Sequence, residues 1–250
     1  MLALLLASLD QTPHSSATLI SGVDEVRPGQ VVPILLKITL DEGWHTYWMN
    51  PGDSGSPTQV RWKVNGKPVT GNLLYPAPKV ISSEGITTYG YEGEVNLVTS
   101  LAPSKSLALG STWKVEAEAS WLVCKEECVM ARKTMTLELP VGIRTEQVPV
   151  RAEVQRATEA LPKSDKSAYT VYDLEGSFGL EGPATVSLKG CTFLPQQPGI
   201  VDHSAPQRFE GGRLILKKSP YLSKIPARIN GLLLRPDGAP ATTIFCVLKK

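Results

Sequence analysis

Two cysteines four positions apart, Cys124 and Cys128, are the residues whose type and spacing best fit a chemical reaction in this 250-residue chain. An extended segment of that length spans roughly 13 Å, whereas a disulfide requires Cα atoms about 4.4–6.8 Å apart. The pair can therefore bond only if the chain turns between them. A bond closing so short a loop gains little loop-closure entropy, which favours thiol–disulfide exchange as its purpose. A simple surface disulfide is the alternative.

The sequence on both sides of the pair predicts two β-strands joined as a hairpin. In Trp113–Val123, apolar residues occupy every second position and polar residues the positions between them, and Met130–Leu139 alternates in the same way. The turn of this hairpin would bring the two sulfurs together and expose them to a partner thiol. Glu126 and Glu127 in that turn would oppose formation of a thiolate, so the pair suits attack by an incoming thiolate.

Two other chemistries fit parts of the sequence less well. His45 with the two cysteines supplies three ligands, whereas a structural zinc site needs four. The segment Gly52–Pro57 resembles the nucleophile loop of chymotrypsin-like serine proteases. Ser54, however, has only His45 upstream and lies near the start of the chain, unlike the serine of that family. A turn between strands is the prediction for this segment.

The remaining two cysteines, Cys191 and Cys246, lie in strand-like runs within residues 167–250, near the middle and near the end of that region. A structural disulfide between them and burial as free thiols are both compatible with that position. His203, in Asp202-His203-Ser204, is predicted to be a loop residue. The five tryptophans are interpreted mainly as core residues.

Composition and charge narrow the class of protein. Lys and Arg total 26 and Asp and Glu 24, interspersed to a net charge of +2, so no basic stripe is available for nucleic acid. The apolar start Met1–Ser8 is too short to span a membrane but fits a signal-peptide core, which predicts export; a misassigned start is the alternative. We expect no membrane span elsewhere in the chain.

The 21 Gly and 20 Pro, with many short alternating segments, predict an all-β fold with two domains. Predicted strands beyond the hairpin are Ala17–Val26, Val31–Leu40, Gln59–Val64, Val95–Leu101, Tyr169–Leu174, Ala184–Thr192, Arg213–Lys217, Ile229–Leu234 and Ala241–Leu248. Helical spacing appears only in Gln147–Leu161. The predicted organisation is a signal-peptide remnant or disordered start (1–15), a first domain (16–142), a helical linker (143–166) and a smaller second β-sandwich domain (167–250).

Three blocks carry a resemblance to a known family: Gly43–Pro57, Thr88–Val95 and Ser120–Cys128. They resemble the periplasmic N-terminal region of the DsbD and ScsB group of disulfide reductases, and a weaker likeness runs through Gln196–Gln207. The resemblance implies two immunoglobulin-like sandwich domains without cofactor or metal. It also implies a thiol:disulfide oxidoreductase component in the periplasm, whose partners are a membrane electron-donor protein of DsbD type and thioredoxin-like periplasmic proteins.

The resemblance also assigns residues. Cys124 and Cys128 match the redox pair, and Cys128 is the expected attacker of a substrate disulfide. Supporting or cap roles fall on five further residues, namely His45, Tyr47, Thr88, Tyr89 and Tyr91. The stretch Glu84–Glu94 is predicted to be a loop covering the sulfurs, with Thr88 where relatives carry an aromatic residue. The rival interpretation is a noncatalytic binding or chaperone-like module of two β-sandwiches, in which the disulfide only pins a loop.

Overall fold

The computed structural model describes residues 10–142 and 150–249. The predicted signal segment and the first residues of the predicted helix lie outside this part of the chain. The described residues divide into two compact units that interleave along the sequence. The first unit lies within Met1–Thr46, Pro57–Pro76 and Tyr91–Ala160, and the second within Tyr47–Ser56, Ala77–Gly90 and Leu161–Lys250.

Up to residue 160, the described part of the chain forms ten strands and one helix. They are β1 (Ser15–Ser21), β2 (Val32–Leu40), β3 (His45–Gly52), β4 (Gln59–Val64), β5 (Lys67–Val69), β6 (Lys79–Ser83), β7 (Ile86–Glu92), β8 (Glu94–Leu101), β9 (Thr112–Cys124), β10 (Cys128–Pro140) and α1 (Ala152–Glu159). No helix in the described residues has the length and apolar character needed to span a membrane.

The first unit is a β-sandwich. One sheet has the order β1-β2-β8; in the other, β5-β4-β9-β3 are neighbours and β10 pairs along the opposite edge of β9. Side chains from both sheets meet in one apolar cluster, with Trp62 and Trp113 from the second sheet against Val32, Ile34 and Leu101 from the first. This face-to-face packing is the immunoglobulin-like sandwich that the sequence predicts.

The β9–β10 hairpin is the longest ladder of this unit. Its register runs from Thr112 opposite Pro140 to Cys124 opposite Cys128. The odd-numbered residues of β9, among them Trp113 and Trp121, are buried, while the residues between them are partly exposed. The alternation in the sequence therefore predicts both the strand and its buried face correctly.

The predicted loop Glu84–Glu94 is instead mostly strand β7. Glu84 and Gly85 have φ values of 50° and 81°, and they make a tight turn between β6 and β7 in which Ser83 pairs with Ile86. Two residues with positive φ are the signature of a hairpin turn that matches strand twist. The threonines and tyrosines that follow favour a pleated strand, which explains why the loop prediction is wrong.

Helix α1 packs on the outer side of the β1-β2-β8 sheet. Val154 and Ala157 are its buried residues. Lys37 of β2 holds the helix electrostatically, because its ammonium lies 3.1 Å from Glu153 Oε1 and 2.9 Å from Glu94 Oε2. The predicted helical segment is thus present, within the described residues, as a short amphipathic helix attached to the first unit.

Eight further strands form the second unit's sheet. They are β11 (Lys163–Ser164), β12 (Tyr169–Leu174), β13 (Ser177–Glu181), β14 (Thr192–Pro195), β15 (Arg208–Glu210), β16 (Arg213–Lys217), β17 (Arg228–Leu234) and β18 (Thr242–Lys249). The order is β14-β17-β18-β12-β13-β16-β15, with β11 also paired to β18. Most pairs are antiparallel, but β18 is parallel to both β11 and β12.

This sheet folds over a single core. Phe193 of β14 and Leu214 of β16 lie near opposite ends of the strand order yet belong to the same buried cluster, together with Phe178 and Ile244. The predicted strand Ala184–Thr192 is wrong, since only Thr192 of that range is in a strand. Pro183 and Gly190 flank a stretch of turns there, and turn residues outweigh its valine and leucine.

Side-chain amides cover the outer edge of β14. The Gln207 amide pairs with Phe193 as a neighbouring strand would, since Phe193 N–H donates to Gln207 Oε1 and Gln207 Nε2 donates to the Phe193 carbonyl, both at 2.8 Å. Asn50 is fully buried, and its Nδ2 donates to the Pro195 carbonyl at 2.7 Å. These bonds explain why the segment Tyr47–Ser56 belongs to the second unit.

Candidate functional site

The cysteine pair closes the tip of the β9–β10 hairpin. Cys124 and Cys128 are direct partners in the ladder, their Cα atoms are 4.2 Å apart and their sulfurs are bonded. Lys125 N–H donates to the Glu127 carbonyl at 3.1 Å, which fixes the turn between them. The hairpin and the disulfide predicted from the sequence are both confirmed.

The two cysteines differ sharply in exposure. Cys124 is 3% exposed, whereas Cys128 and the three residues before it are exposed. An external thiolate must reach a sulfur from the side opposite the bond that breaks, so accessibility decides which sulfur is attacked. Cys128 is therefore the more accessible cysteine of the pair.

His45 lies next to Cys124 in the sheet. The two are direct partners between β3 and β9, so His45, Cys124 and Cys128 form one row across three strands. Directly opposite residues in an antiparallel ladder place their side chains on the same face, with Cβ atoms about 4.5–5.5 Å apart. Burial lowers the pKa of His45, and the carboxylate of Glu92 opposes this only partly. A neutral imidazole therefore lies beside the buried cysteine at pH 7.

A groove of about 390 Å³ runs beside the exposed cysteine, and the sequence did not predict it. Trp44 forms one side and the turn residues Lys125, Glu126 and Glu127 form the other. Trp44 is half-buried and stacks on His14 with ring centroids 3.8 Å apart. The other four tryptophans are buried as predicted. The sequence signal that distinguishes Trp44 from the four buried tryptophans is its position directly after Gly43 in a turn.

Tyr47 lies in the second unit and is buried. Gly55 lies directly against its ring, and a Cβ at that position would clash with the aromatic carbons. Burial raises the pKa of the Tyr47 hydroxyl, which therefore stays protonated at neutral pH. A glycine is thus required where the chain passes over this ring.

Thr88 and Tyr89 are also buried in the second unit, where both make specific bonds. The Thr88 hydroxyl donates to the Ile81 carbonyl at 3.4 Å. The Tyr89 hydroxyl lies 3.0 Å from His203 Nδ1, and the Tyr89 ring packs edge-on against Trp48. Burial raises the pKa of Tyr89 and lowers that of His203, so both groups are neutral at pH 7. His203, predicted to be a simple loop residue, is tied to β7.

Tyr91 belongs to the first unit. It is 6% exposed, and its hydroxyl donates to the Pro76 carbonyl at 2.7 Å. Burial raises the pKa of this hydroxyl as well. The structure therefore brings His45, Cys124 and Cys128 into one row. Tyr91 lies in the same unit, where its hydroxyl bonds the Pro76 carbonyl.

The protease-like segment is a turn, as predicted. Asp53 accepts the Thr87 N–H at 2.9 Å and the Ser204 hydroxyl at 2.7 Å through the same oxygen. Ser204 also donates towards the Gly85 carbonyl at 2.7 Å. The aspartate thus ties strand β7 to the turn that contains Ser204, which is a structural role rather than that of a triad member.

Cys191 and Cys246 are free, buried thiols, so the disulfide considered between them is not formed. Burial raises the pKa of both, for Cys246 to about 12. Such thiols are inert, since thiolate is the reactive form. Within the described ranges, no three His, Cys, Asp or Glu side chains converge in a way that could hold a metal ion.

Comparisons with known proteins agree with this geometry. The family model "Thiol:disulfide interchange protein DsbD, N-terminal" matches residues 18–140. The structure is similar to the N-terminal periplasmic domain of ScsB from Proteus mirabilis, with a TM-score of 0.70 and 17% identity, over 96% of this chain and 95% of that chain. At this identity the likeness shows the fold alone, across nearly the whole chain.

Two further solved structures match with lower scores. AggA, a fimbrial subunit from Escherichia coli, has a TM-score of 0.31 and 13% identity over 52% of this chain and 97% of its own. The DsbD N-terminal domain of Neisseria meningitidis in the reduced form has a TM-score of 0.27 and 12% identity over 53% and 89%. A comparison with curated protein sequences gives no match.

Proposed function

Since residues 18–140 match the family model of DsbD N-terminal domains, we propose that this chain relays electrons through Cys124 and Cys128 to disulfide substrates. The observation that carries the proposal is the pairing of an exposed with a buried cysteine at the tip of a hairpin. The family is one of thiol–disulfide exchange. The finer role proposed here is that of an exported protein-disulfide reductase component.

The exchange proceeds in two steps. A partner thiolate attacks Cys128 Sγ, forms a mixed disulfide and displaces Cys124 as a thiolate, which takes up a proton. A second thiolate of the partner then attacks its own sulfur in the mixed disulfide and releases Cys128. The partner is oxidised by two electrons and the hairpin pair is reduced. With a substrate disulfide the same steps run in reverse, and Cys128 is the attacker.

His45 is proposed to serve the reverse direction, in which Cys124 must lose its proton before it attacks Cys128 Sγ and releases the substrate. The neutral imidazole of His45 is the ladder neighbour of Cys124 and can accept that proton. The supporting role of Tyr47 and the cap role of Thr88, Tyr89 and Tyr91 remain predictions from the family resemblance.

The proposed location and partners follow the matched family. The ScsB domain of similar fold is described as periplasmic, and we place this chain in the periplasm by that analogy. The proposed electron donor is a membrane protein of DsbD type, and the proposed acceptors are thioredoxin-like periplasmic proteins.

A redox titration of the purified protein tests the proposal. In glutathione or dithiothreitol buffers of graded potential, alkylation and mass spectrometry measure the fraction of reduced Cys124 and Cys128. We expect equilibration at an accessible potential, above the roughly −300 mV below which structural disulfides typically lie. Cys128→Ser is the matched variant and should abolish exchange. A pair that stays oxidised until the protein is unfolded would instead support the noncatalytic binding module.

A further inference from the structure

The exposed sulfur lies among more negative than positive charge. Glu126 and Glu127 immediately precede Cys128, and all three are exposed. Lys125 provides the one positive charge of this turn, but its side chain extends over Gly43, where a Cβ would meet its ammonium at 3.1 Å. The carboxylates rather than the ammonium therefore border the attacked sulfur along the chain.

A second acidic segment precedes Trp44 in the chain. Asp41 and Glu42 are exposed and lie in a turn closed by the bond from Trp44 N–H to the Asp41 carbonyl at 3.1 Å. Asp41 Oδ2 lies 3.5 Å from His14 Nδ1. Two carboxylates, those of Glu126 and Glu127, thus line the groove itself against one lysine, and two more lie in the turn before Trp44.

The groove also offers an aromatic surface. Trp44 is half-buried and lines the space opposite Glu126 and Glu127, while His14 stacks in parallel on its ring. A tryptophan flanked by carboxylates is suited to a guanidinium, which can stack on the ring and bond the carboxylates at once. An anionic group would meet repulsion from Glu126 and Glu127 in the same groove.

We propose that the thiol partner of this site is a protein whose reactive cysteine is flanked by basic side chains, with an arginine seated in the Trp44 groove. The inference rests on the proposed exchange function and names the partner class for it. Glu126 and Glu127 are then specificity-determining residues, since they stabilise the encounter with a basic partner and repel an acidic one.

The test uses two tripeptide thiols, with arginine or with glutamate on both sides of a cysteine, as reductants of the oxidised protein. The second-order rate constant for opening the disulfide is measured by quenched alkylation at low ionic strength and divided by each peptide's thiolate fraction. The quantity compared between proteins is the ratio of the arginine to the glutamate rate. Intrinsic differences between the peptides cancel in that comparison.

We expect this ratio to fall about tenfold in Glu126→Gln/Glu127→Gln, as expected for charges a few ångströms apart at the surface, and to fall similarly at high salt. The matched control Glu138→Gln/Glu159→Gln removes the same charge. Glu138 lies at the far end of β10, roughly 33 Å from Cys128, so the control should keep the wild-type ratio. Trp44→Leu should slow the arginine peptide relative to a lysine peptide of equal charge.

The outcomes separate the two proposals. If the ratio of the arginine to the glutamate rate is the same in the wild type and in Glu126→Gln/Glu127→Gln, the basic partner is wrong while exchange stands. An equal fall in the control variant would likewise overturn the local role of these glutamates. If neither peptide opens the disulfide of any folded variant, the exchange function itself is wrong.

Discussion

Reduction of the Cys124–Cys128 disulfide should leave the first unit folded and lower its free energy of unfolding by about 2 kcal/mol. The bond joins residues with a sequence separation of only 4, and the chain-entropy relation for a loop of this size gives about 2 kcal/mol. The backbone pairing of β9 with β10 already places these two residues opposite each other, and it continues along the whole length of both strands. The bond therefore adds little order that the sheet does not already impose.

The same number sets the redox potential through a thermodynamic cycle. The free energy by which the disulfide stabilises the folded state equals the free energy by which the folded state stabilises the disulfide. A stabilisation of about 2 kcal/mol corresponds to about 45 mV for a two-electron couple. The potential of the native pair should thus lie only about 45 mV below that of the urea-unfolded chain.

Urea unfolding of oxidised and reduced protein measures the first quantity, and redox titration with and without urea measures the second. Four of the five tryptophans lie in the first unit, so fluorescence mainly reports its unfolding. Cys124→Ala/Cys128→Ala serves as control and should unfold like the reduced protein. A loss above about 4 kcal/mol, or noncooperative unfolding after reduction, would refute the reasoning and make the bond a structural crosslink.

Three further predictions concern the cysteine pair, the Tyr89–His203 contact and the effect of pH on stability. Cys124→Ser should trap a stable mixed disulfide between Cys128 and a substrate, seen by mass spectrometry of nonreduced material, because the resolving sulfur is missing; release of substrate at the wild-type rate would contradict this. Tyr89→Phe should lower the free energy of unfolding by about 1–2 kcal/mol, because His203 Nδ1 loses its partner in a buried setting; urea unfolding of the second unit measures it, and Tyr221→Phe, at an 88% exposed position, is the neutral control. Stability should fall as pH drops below about 6.5, because burial lowers the folded-state pKa of His45 and His203 and the unfolded chain then binds more protons; urea curves at pH 7.5 and 5.5 test this, and His45→Gln should reduce the dependence.

The site was predictable where local patterns decide the structure. Strict alternation in Trp113–Val123 fixes both the strand and its inward face, and the non-alternating Cys124–Cys128 segment marks the turn. Strands β4, β12 and β16 likewise have the predicted bounds, since turn residues delimit them clearly. Asn65 and Gly66, with φ values of 48° and 76°, make the tight turn that their sequence favours.

Long-range contacts were beyond such reasoning. Asn50 belongs to the second unit because its amide reaches the carbonyls of Pro195 and Gln197, some 145 residues later in the chain, and no local signal announces that bond. The same holds for Tyr89 and His203. Strand β13 was missed because Gly179 interrupts its apolar residues, although both neighbouring strands pair with it.

The amide cover on β14 has a consequence for how this protein behaves at high concentration. A bare sheet edge is a template on which a second chain can add its own strand, and repeated addition produces polymers. Gln207 occupies the backbone groups of Phe193 that such an addition would need first, and Pro195 offers no N–H. Loss of one side-chain amide, as in Gln207→Ala, would therefore leave the edge of β14 open as a starting point for strand addition and aggregation.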